Sequence, residues 1–521
     1  MFLNKEVLSK TKKLLLLSIP YTGAFLLTAA TEELNTYILA RHSPMTLGAS
    51  GLISITGPFI LICNSPLLAL PSIVSELYGK KEKKSLASII QQGWMLVPVL
   101  CIPQAIVMAL SKPFLELLNQ PKLLIEAADS YFYIRIASLP AVGLLGVSTS
   151  YAYGRGKKLP IFALNAFNLI VGGILTSGLV LGNFGMPRLG IKGYALATVA
   201  QTWLNNIAFA IYLKINGKRY KYNFFTFKFH EFKSLAKRFA KLGSLITVNN
   251  FMLIISAIYK QALIGNFGEQ SIIASQIVNA YAGLPLYIND SISQAVSTLI
   301  GQSIGKRDYK AVKHYDKIGL FLAIGSSVAF SIPCFTIPQH ITSIFLKGNA
   351  HHDEKLINNL FYLNGIQSIF DSISQILTGA FLGTQESSIT TLISTGTFLL
   401  ITLPMTLGLY FGTDLDLLGV ALSFLTGSLI KTLLMSIAWH KKLNKLTQKE
   451  LEEQNPTYDI EVIEDTQPIE NSVSVSNLKK FSIFNCCQER EEQNTVKIEE
   501  LTENEVSPIY STNGMSPPAN L

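Results

Sequence analysis

Apolar and polar positions come in long blocks along this chain, not in strict alternation. Runs of twenty or more mostly apolar residues recur through its 521 residues, each broken by a short polar segment that is often basic. A helix of that length crosses about 30 Å of hydrocarbon. The runs lack the period-2 pattern of a barrel strand. Within lipid every backbone polar group has to be bonded internally, so the runs are helices. The pattern predicts twelve spans, near 14–39, 51–76, 87–110, 129–153, 160–181 and 190–213, then 243–266, 274–303, 316–340, 358–382, 389–411 and 417–440.

The two sets of six share a signature. In QAVSTLIGQSIGKRDYKAVKHY (Gln294 to Tyr315) an apolar run reaches Gly301-Gln302, and Gly305 opens a basic turn. LALPSIVSELYGKKEKKSLASIIQQG is a fainter copy 226 residues earlier. It sets Glu76 against Gln302, Gly79 against Gly305, Lys80-Lys81 against Lys306-Arg307 and Gly93 against Gly319. Ala49-Ser50 answers Ala274-Ser275 one residue out of step. An even number of spans lies between the two turns, so the halves read as a parallel repeat about an axis along the membrane normal.

Composition agrees. Apolar residues make up 49% and charged residues 15%, and the mean hydropathy is positive. With the N-terminus inside, one set of loops collects Lys5–Lys13, Lys80–Lys84, Arg155–Lys158, Lys214–Lys241, Lys306–Lys317 and Lys441–Lys445. The opposite set carries only Arg41, Lys112, Lys122, Arg188, Lys192, Lys347 and Lys355. That asymmetry puts both termini in the cytoplasm of a multi-pass protein, with a bacterial inner (cell) membrane as the expected setting. The basic start runs directly into the first span, without a signal-peptide pattern.

Four regions follow: an N-terminal six-helix lobe over 1–213, a basic linker over 214–242, a C-terminal six-helix lobe over 243–445 and an acidic tail over 446–521. The linker mixes basic and aromatic residues, with helical apolar spacing from Phe229 to Phe239. It is expected to lie on the cytoplasmic headgroups rather than bind nucleic acid. The tail holds 15 Asp and Glu against five Lys and Arg. It is expected to be disordered and cytoplasmic, a secretion or sorting address or a docking point for a protein partner, attached to a monomeric core. Its Cys486-Cys487 pair, after KKFSIFN, fits either palmitoylation or two reduced thiols. Cys63, Cys101 and Cys334 lie singly in spans.

No enzyme constellation, cofactor motif or metal-ligand spacing emerges. His351-His352-Asp353-Glu354 reads as a solvated loop, and no Walker-type glycine loop is present, so transport, if it occurs, has to draw on an ion gradient. The informative residues are the charges inside spans: Glu32, Glu33, Arg135, Lys260, Asp290, Asp371 and Lys431. Each costs about 2.5–3.5 kcal/mol at the centre of a lipid-facing helix, so most should face a cavity or one another. Counting along the spans puts Asp290 and Asp371 near the midplane, and Glu32, Glu33, Arg135 and Lys260 in the outer thirds. Arg135 is within geometric reach of Glu32 or Glu33, as readily a structural ion pair as a functional one. Lys431 is expected to snorkel to the cytoplasmic face.

LNTYILARHS with the later GAS, LALPSIVSELYGKKE, QAVSTLIGQSIGKRD, and FDSISQILTGAFLGTQES (Phe370 to Ser387) resemble the first, second, eighth and tenth spans of the multidrug and toxic-compound extrusion (MATE) transporters. The resemblance covers roughly residues 10–442. It implies an all-α membrane protein of twelve transmembrane helices, in two pseudo-symmetric six-helix lobes about a central cavity. Such a carrier would export a small organic cation or amphipath against H⁺ or Na⁺ by rocking. Asp371 matches the family's cation-coupling acid. The first-span acid of many bacterial members is Asn35 here, and the seventh-span acid falls at Leu253, beside Asn249 and Asn250. The candidate coupling residues are therefore Asp371, Asp290, Asn35, Glu32 and Glu33. The candidate cavity residues are Asn249, Asn250, Lys260, Gln276 and Arg135. A lipid-linked oligosaccharide flippase and a non-transporting scaffold acting through the tail remain the alternatives.

Overall fold

The computed structural model describes residues 5–54, 57–117, 122–220, 232–267, 269–345, 354–413 and 415–454. Among them the only regular structure is helical. The first half runs α1 (Lys5–His42), then α2 (Pro44–Ser54), α3 (Gly57–Asn64), a 3₁₀ turn (Ser65–Ala69) and α4 (Leu70–Gly79) in succession. It continues with α5 (Lys83–Ala109), the short α6 (Ser111–Leu117), α7 (Lys122–Ile136), α8 (Leu139–Gly154), α9 (Lys158–Leu181) and α10 (Ile191–Tyr220). The second half runs α11 (Phe232–Gly265), α12 (Glu269–Gly305), α13 (Tyr309–Thr336), the short α14 (Pro338–Phe345) and α15 (Glu354–Gly383). It ends with α16 (Ser387–Thr397), a π turn (Phe398–Thr402), α17 (Leu403–Gly412) and α18 (Asp416–Gln454).

Nine of these segments are long and apolar enough to cross a membrane among the described residues, and α7 with α8 makes a tenth, bent by 54°. The bend falls where Pro140 follows Ser138-Leu139, because proline removes a helix donor and crowds the preceding turn. Helices α10 and α15 are long enough to span but are too polar for that test. Both are packed among other helices: α10 against α7, α8 and α9, and α15 against α12, α13 and α18. Protein surrounds their polar faces, so composition understates what they can do.

The expected headgroup helix of the linker is continuous from Phe232 with the seventh span, as part of α11. Helix α18 likewise continues beyond Lys445 to Gln454, and Glu450 lies 3.7 Å from Lys310. The rest of the tail, with Cys486 and Cys487, lies outside the described residues, as does His351-His352-Asp353.

Four turns at one end of the bundle have the same construction. Each helix stops on a residue of positive φ: Lys81 (60°), Gly156 (67°), Arg307 (59°) and Gln385 (61°). In each, the next amide donates back to a carbonyl five residues earlier: Glu82 to Leu77 (3.1 Å), Lys157 to Ala152, Asp308 to Ser303 and Glu386 to Phe381 (each 2.9 Å). The sequence repeat showed two of the four. The halves meet at this end. Gln302 Nε2 donates to the Gly154 carbonyl at 2.9 Å, and Gln385 Nε2 donates to Glu76 Oε2. Glu76 and Gln302 are repeat-equivalent, and both take part in polar bonds across the seam, with Gln385 as the partner of Glu76.

The buried apolar residues repeat this asymmetry. One cluster draws on both halves, with Tyr21, Tyr151 and Phe381 among its members. Two more lie towards the opposite end, one built from the first half alone around Phe132 and one from the second half alone around Phe361. The lobes are joined at the end that carries the four turns and keep separate cores at the other.

Candidate functional site

Polar residues on α15 recur at helical spacing: Asn364, Gln367, Ser368, Asp371, Ser374 and Gln375. That face borders two cavities of the C-terminal lobe. The first, about 170 Å³, is enclosed by α11, α15, α18 and the α16–π-turn segment. Asn249 and Ser256 line it with Gln367, Asp371, Ser428 and Lys431. The second, about 250 Å³, lies between α11, α12, α15 and α18. Leu253, Asp371 and Lys431 border both.

Asp371 is held on both oxygens by neutral donors. Ser428 Oγ donates to Oδ1 at 2.7 Å, and Gln367 Nε2 to Oδ2 at 3.1 Å. These bonds fix the carboxylate's orientation while leaving it in contact with the cavity. Lys431 lies one helical turn from Ser428 on α18 and opens onto the same space. This corrects the expectation that it snorkels to the cytoplasmic face. Lys260 sits over the ring of Phe424, 5.3 Å from its centroid, and Phe424 lines the first cavity. Neither lysine forms an ion pair among the described residues.

Asp290 lines none of these cavities. Gln375, which lines the second, donates to its Oδ1. The neighbouring Asn289 does line the second cavity and is bound to Ser326 and Ser327 of α13. Of the paired amides on α11, Asn249 faces the first cavity with Oδ1 unpartnered. Asn250 points to the other lobe, where Nδ2 donates to Ser65 Oγ at 3.0 Å. Gln276 is exposed on α12 and borders none of the cavities described.

The N-terminal lobe holds a larger cavity, about 500 Å³, between α1, α7–α8, α9 and α10. Its wall is rich in amides and hydroxyls. Asn35 and Glu32 come from α1, Asn165 and Asn168 from α9, and Gln201 and Asn205 from α10. Gln201 and Asn205 both donate to Asn168 Oδ1, at 2.5 and 2.8 Å. Arg135 lines the same cavity, but it forms no ion pair with Glu32 or Glu33 among the described residues, and its Nη1 has no hydrogen-bond partner. The ion pair envisaged from the sequence is absent: the two charges share a space without touching. Glu33 is exposed and outside the cavity.

The sequence reading did not single out Asn165, Asn168, Gln201, Asn205, Gln367, Gln375 or Ser428. A usable signal was present. On α10 and α15 the amides and hydroxyls recur every three to four residues, which inside a membrane bundle marks a face turned towards water or protein. Among the described residues no group of three His, Cys, Asp or Glu side chains could hold a metal ion.

The MatE family model matches residues 20–177 and 246–408. Multidrug resistance protein NorM of Burkholderia vietnamiensis is 24% identical over 446 residues, which cover 82% of this chain and 94% of that protein. A probable multidrug resistance protein NorM of Bacillus anthracis is 24% identical over 405 residues, 76% of this chain and 87% of its own. The fold is that of the Vibrio cholerae MATE transporter VcmN in its bent form, with a TM-score of 0.75 at 16% identity over 85% of this chain and 99% of that one. It is equally that of the eukaryotic MATE transporter AtDTX14, with a TM-score of 0.74 at 17% identity over the same shares. The matched segments fall one in each lobe and together exceed half of the chain: this integral, multi-pass membrane protein belongs to the MatE family of multidrug and toxic-compound efflux transporters.

Proposed function

We propose that the chain is a secondary active exporter that moves small organic molecules out of the cytoplasm in exchange for H⁺ or Na⁺. Asp371 is the exchanging acid, and its placement carries the reading. It is the one carboxylate bordering the C-lobe cavities described, oriented by Ser428 and Gln367 and open to solvent-sized space. A ligand shifts a two-state carrier only through its differential affinity for the two states. A titratable group on a helix packed between α12 and α18 is well placed to supply that difference when those helices move.

The joined end of the lobes supports rocking about a closed seam. With the positive-inside orientation, the basic turns face the cytoplasm, so the described conformation is closed to the cytoplasm, with the lobes separate towards the outside. Asn35 and Asp290 are the further candidates for the ion path. The first borders the N-lobe cavity, and the second is tied to the second C-lobe cavity only through Gln375. Lys431 on the first cavity and Lys260 over Phe424 at its wall support the flippase alternative, since ammonium groups suit a phosphate-bearing lipid. Purified protein in proteoliposomes, with pH and Na⁺ gradients imposed separately, tests the exporter. Uphill substrate movement under one gradient, abolished in Asp371→Asn, is the expected result. No response to either gradient would overturn it.

A further inference from the structure

We propose that two repeat-related residue pairs, Asn64-Ser65 and Asp290-Ser291, latch the lobes together deep in the bundle. In the second pair Asp290 is the positioning residue that ties the helix of Asp371 to the seam. This rests on the exporter reading and gives Asp290, a candidate for the ion path there, a mechanical part.

The two pairs stand 226 residues apart, the spacing of Gly79 and Gly305. Each serine is fully buried and bonds to the opposite lobe. Ser65 accepts from Asn250 of α11 at 3.0 Å, and Ser291 shares a hydrogen bond with Thr22 of α1 at 2.5 Å. Each residue before the serine is held within its own lobe by a glutamine. Asn64 and Gln104 of α5 exchange two hydrogen bonds, at 3.2 and 3.3 Å, and Gln375 of α15 donates to Asp290.

Counted along α12 from Gly305, Ser291 lies about 20 Å from the basic turns. The apolar cluster shared by both halves reaches the same level through Tyr21 and Ile292. The latches therefore mark the inner limit of the seam, beyond which the lobes keep separate cores.

Neighbouring faces of α12 serve two tasks. Ser291, Thr298 and Gln302 bond across to the N-terminal lobe. Asp290 and Ser293 grip Gln375, the first at its side-chain amide and the second at its carbonyl, 2.8 Å away. Gln375 follows Asp371 by one helical turn and lines the second cavity with it. A shift of α15 against α12 therefore pulls on Asp290 and turns Ser291 away from Thr22. The N-terminal joint is built from neutral amides. The joint beside Asp371 has a carboxylate, which accepts more strongly than an amide.

The test is the alkylation rate of a Ser303→Cys reporter, buried near the basic turns, in full-length protein in nanodiscs without a gradient. Mass spectrometry of the peptide that carries it reads this thiol alone. Ser291→Ala and Asn250→Ala each remove one latch and should speed labelling about fivefold. Together they should multiply to about twenty-fivefold, as independent contacts do. Asp290→Ala should also give about fivefold, yet add less than about twofold to Ser291→Ala, because it acts through that serine. Gln375→Ala should match it from α15. Asp290→Asn, which keeps an acceptor for Gln375, should stay within about twofold of the parent. A melting curve on each variant separates local opening from lost folding. Full multiplication of Asp290→Ala with Ser291→Ala overturns the proposal, as does a parental rate in folded Asp290→Ala, or Asp290→Asn labelling as fast as Asp290→Ala. No gradient or substrate enters the measurement, so a failure of ion exchange would leave its result standing.

Discussion

Gly79 and Gly305, equivalent positions of the two halves, meet across the seam between the lobes. A Cβ on Gly79 would fall onto the Gln302 carbonyl oxygen and 3.0 Å from the Gly305 Cα. One on Gly305 would fall onto the Glu76 carbonyl and 2.9 Å from the Gly79 Cα. Helices α4 and α12 thus approach backbone to backbone, as small residues allow in membranes. A pair of residues linked by the repeat is also a point of contact between the repeats.

Gly79→Val or Gly305→Val should hold this end of the bundle apart, because the obstacle is a backbone carbonyl that cannot rotate away. Uphill transport is expected to fall at least tenfold. A Ser303→Cys reporter, at a position that is buried now, should become open to alkylation from the turn side. Full transport with a protected reporter would show that the seam does not need to close.

The polar bonds across the same seam should act more weakly. Gln302→Ala removes the bond to Gly154, worth about 1 kcal/mol, and should speed alkylation of the same reporter roughly fivefold. Gln385→Ala should act similarly through Glu76. An unchanged rate in both would show that these two bonds do not hold the closed state together.

Asp371→Asn keeps the bond from Ser428 while removing titration. The protein should fold, with a melting temperature within a few degrees of the parent, and lose at least tenfold in gradient-driven export. Ser428→Ala should leave the acid in place but misdirected, with a smaller loss. Uphill export by Asp371→Asn at the parental rate would leave the acid a structural role.

Glu32→Gln distinguishes a shared cavity from an ion pair. Breaking a buried pair costs about 3–5 kcal/mol, whereas neutralising an unpaired, exposed acid should cost under about 0.5 kcal/mol. Denaturation of the purified variant should therefore follow the parent closely. A loss in the higher range would show that Glu32 reaches Arg135 after all.

Removing residues 455–521 should leave folding and transport intact, because α18 then ends where its helix ends. Cutting after Lys445 also removes Glu450 and its contact with Lys310, and should cost a few tenths of a kcal/mol more. Loss of an extractable core on the shorter cut would assign the acidic segment a role in folding.

Much of this was legible without coordinates. The run of apolar blocks led to the helices, with α13 ending at Thr336 where the predicted span ran on through Pro338. The repeat alignment led to Gly79 and Gly305, and the resemblance singled out Asp371. Arg135 shows where such reading stops. Counting along spans placed it level with Glu32, and level it is, but depth says nothing about which way a side chain turns on its helix.

The sequence alone determined that the chain is helical, membrane-spanning and doubled, because span length, apolar content and repeated spacing are properties of the chain taken one stretch at a time. Only the tertiary structure decided which polar groups share a space. Lys431 stands beside Asp371, Asn250 leaves the cavity for Ser65, and the amides of α9 and α10 close on one another around Asn168. Those outcomes depend on the rotation and packing angle of whole helices, set by contacts between segments far apart in sequence. Helices α10 and α15 make the point most plainly. Their composition argues against lipid, and packing on several sides lets a polar face border the cavities instead.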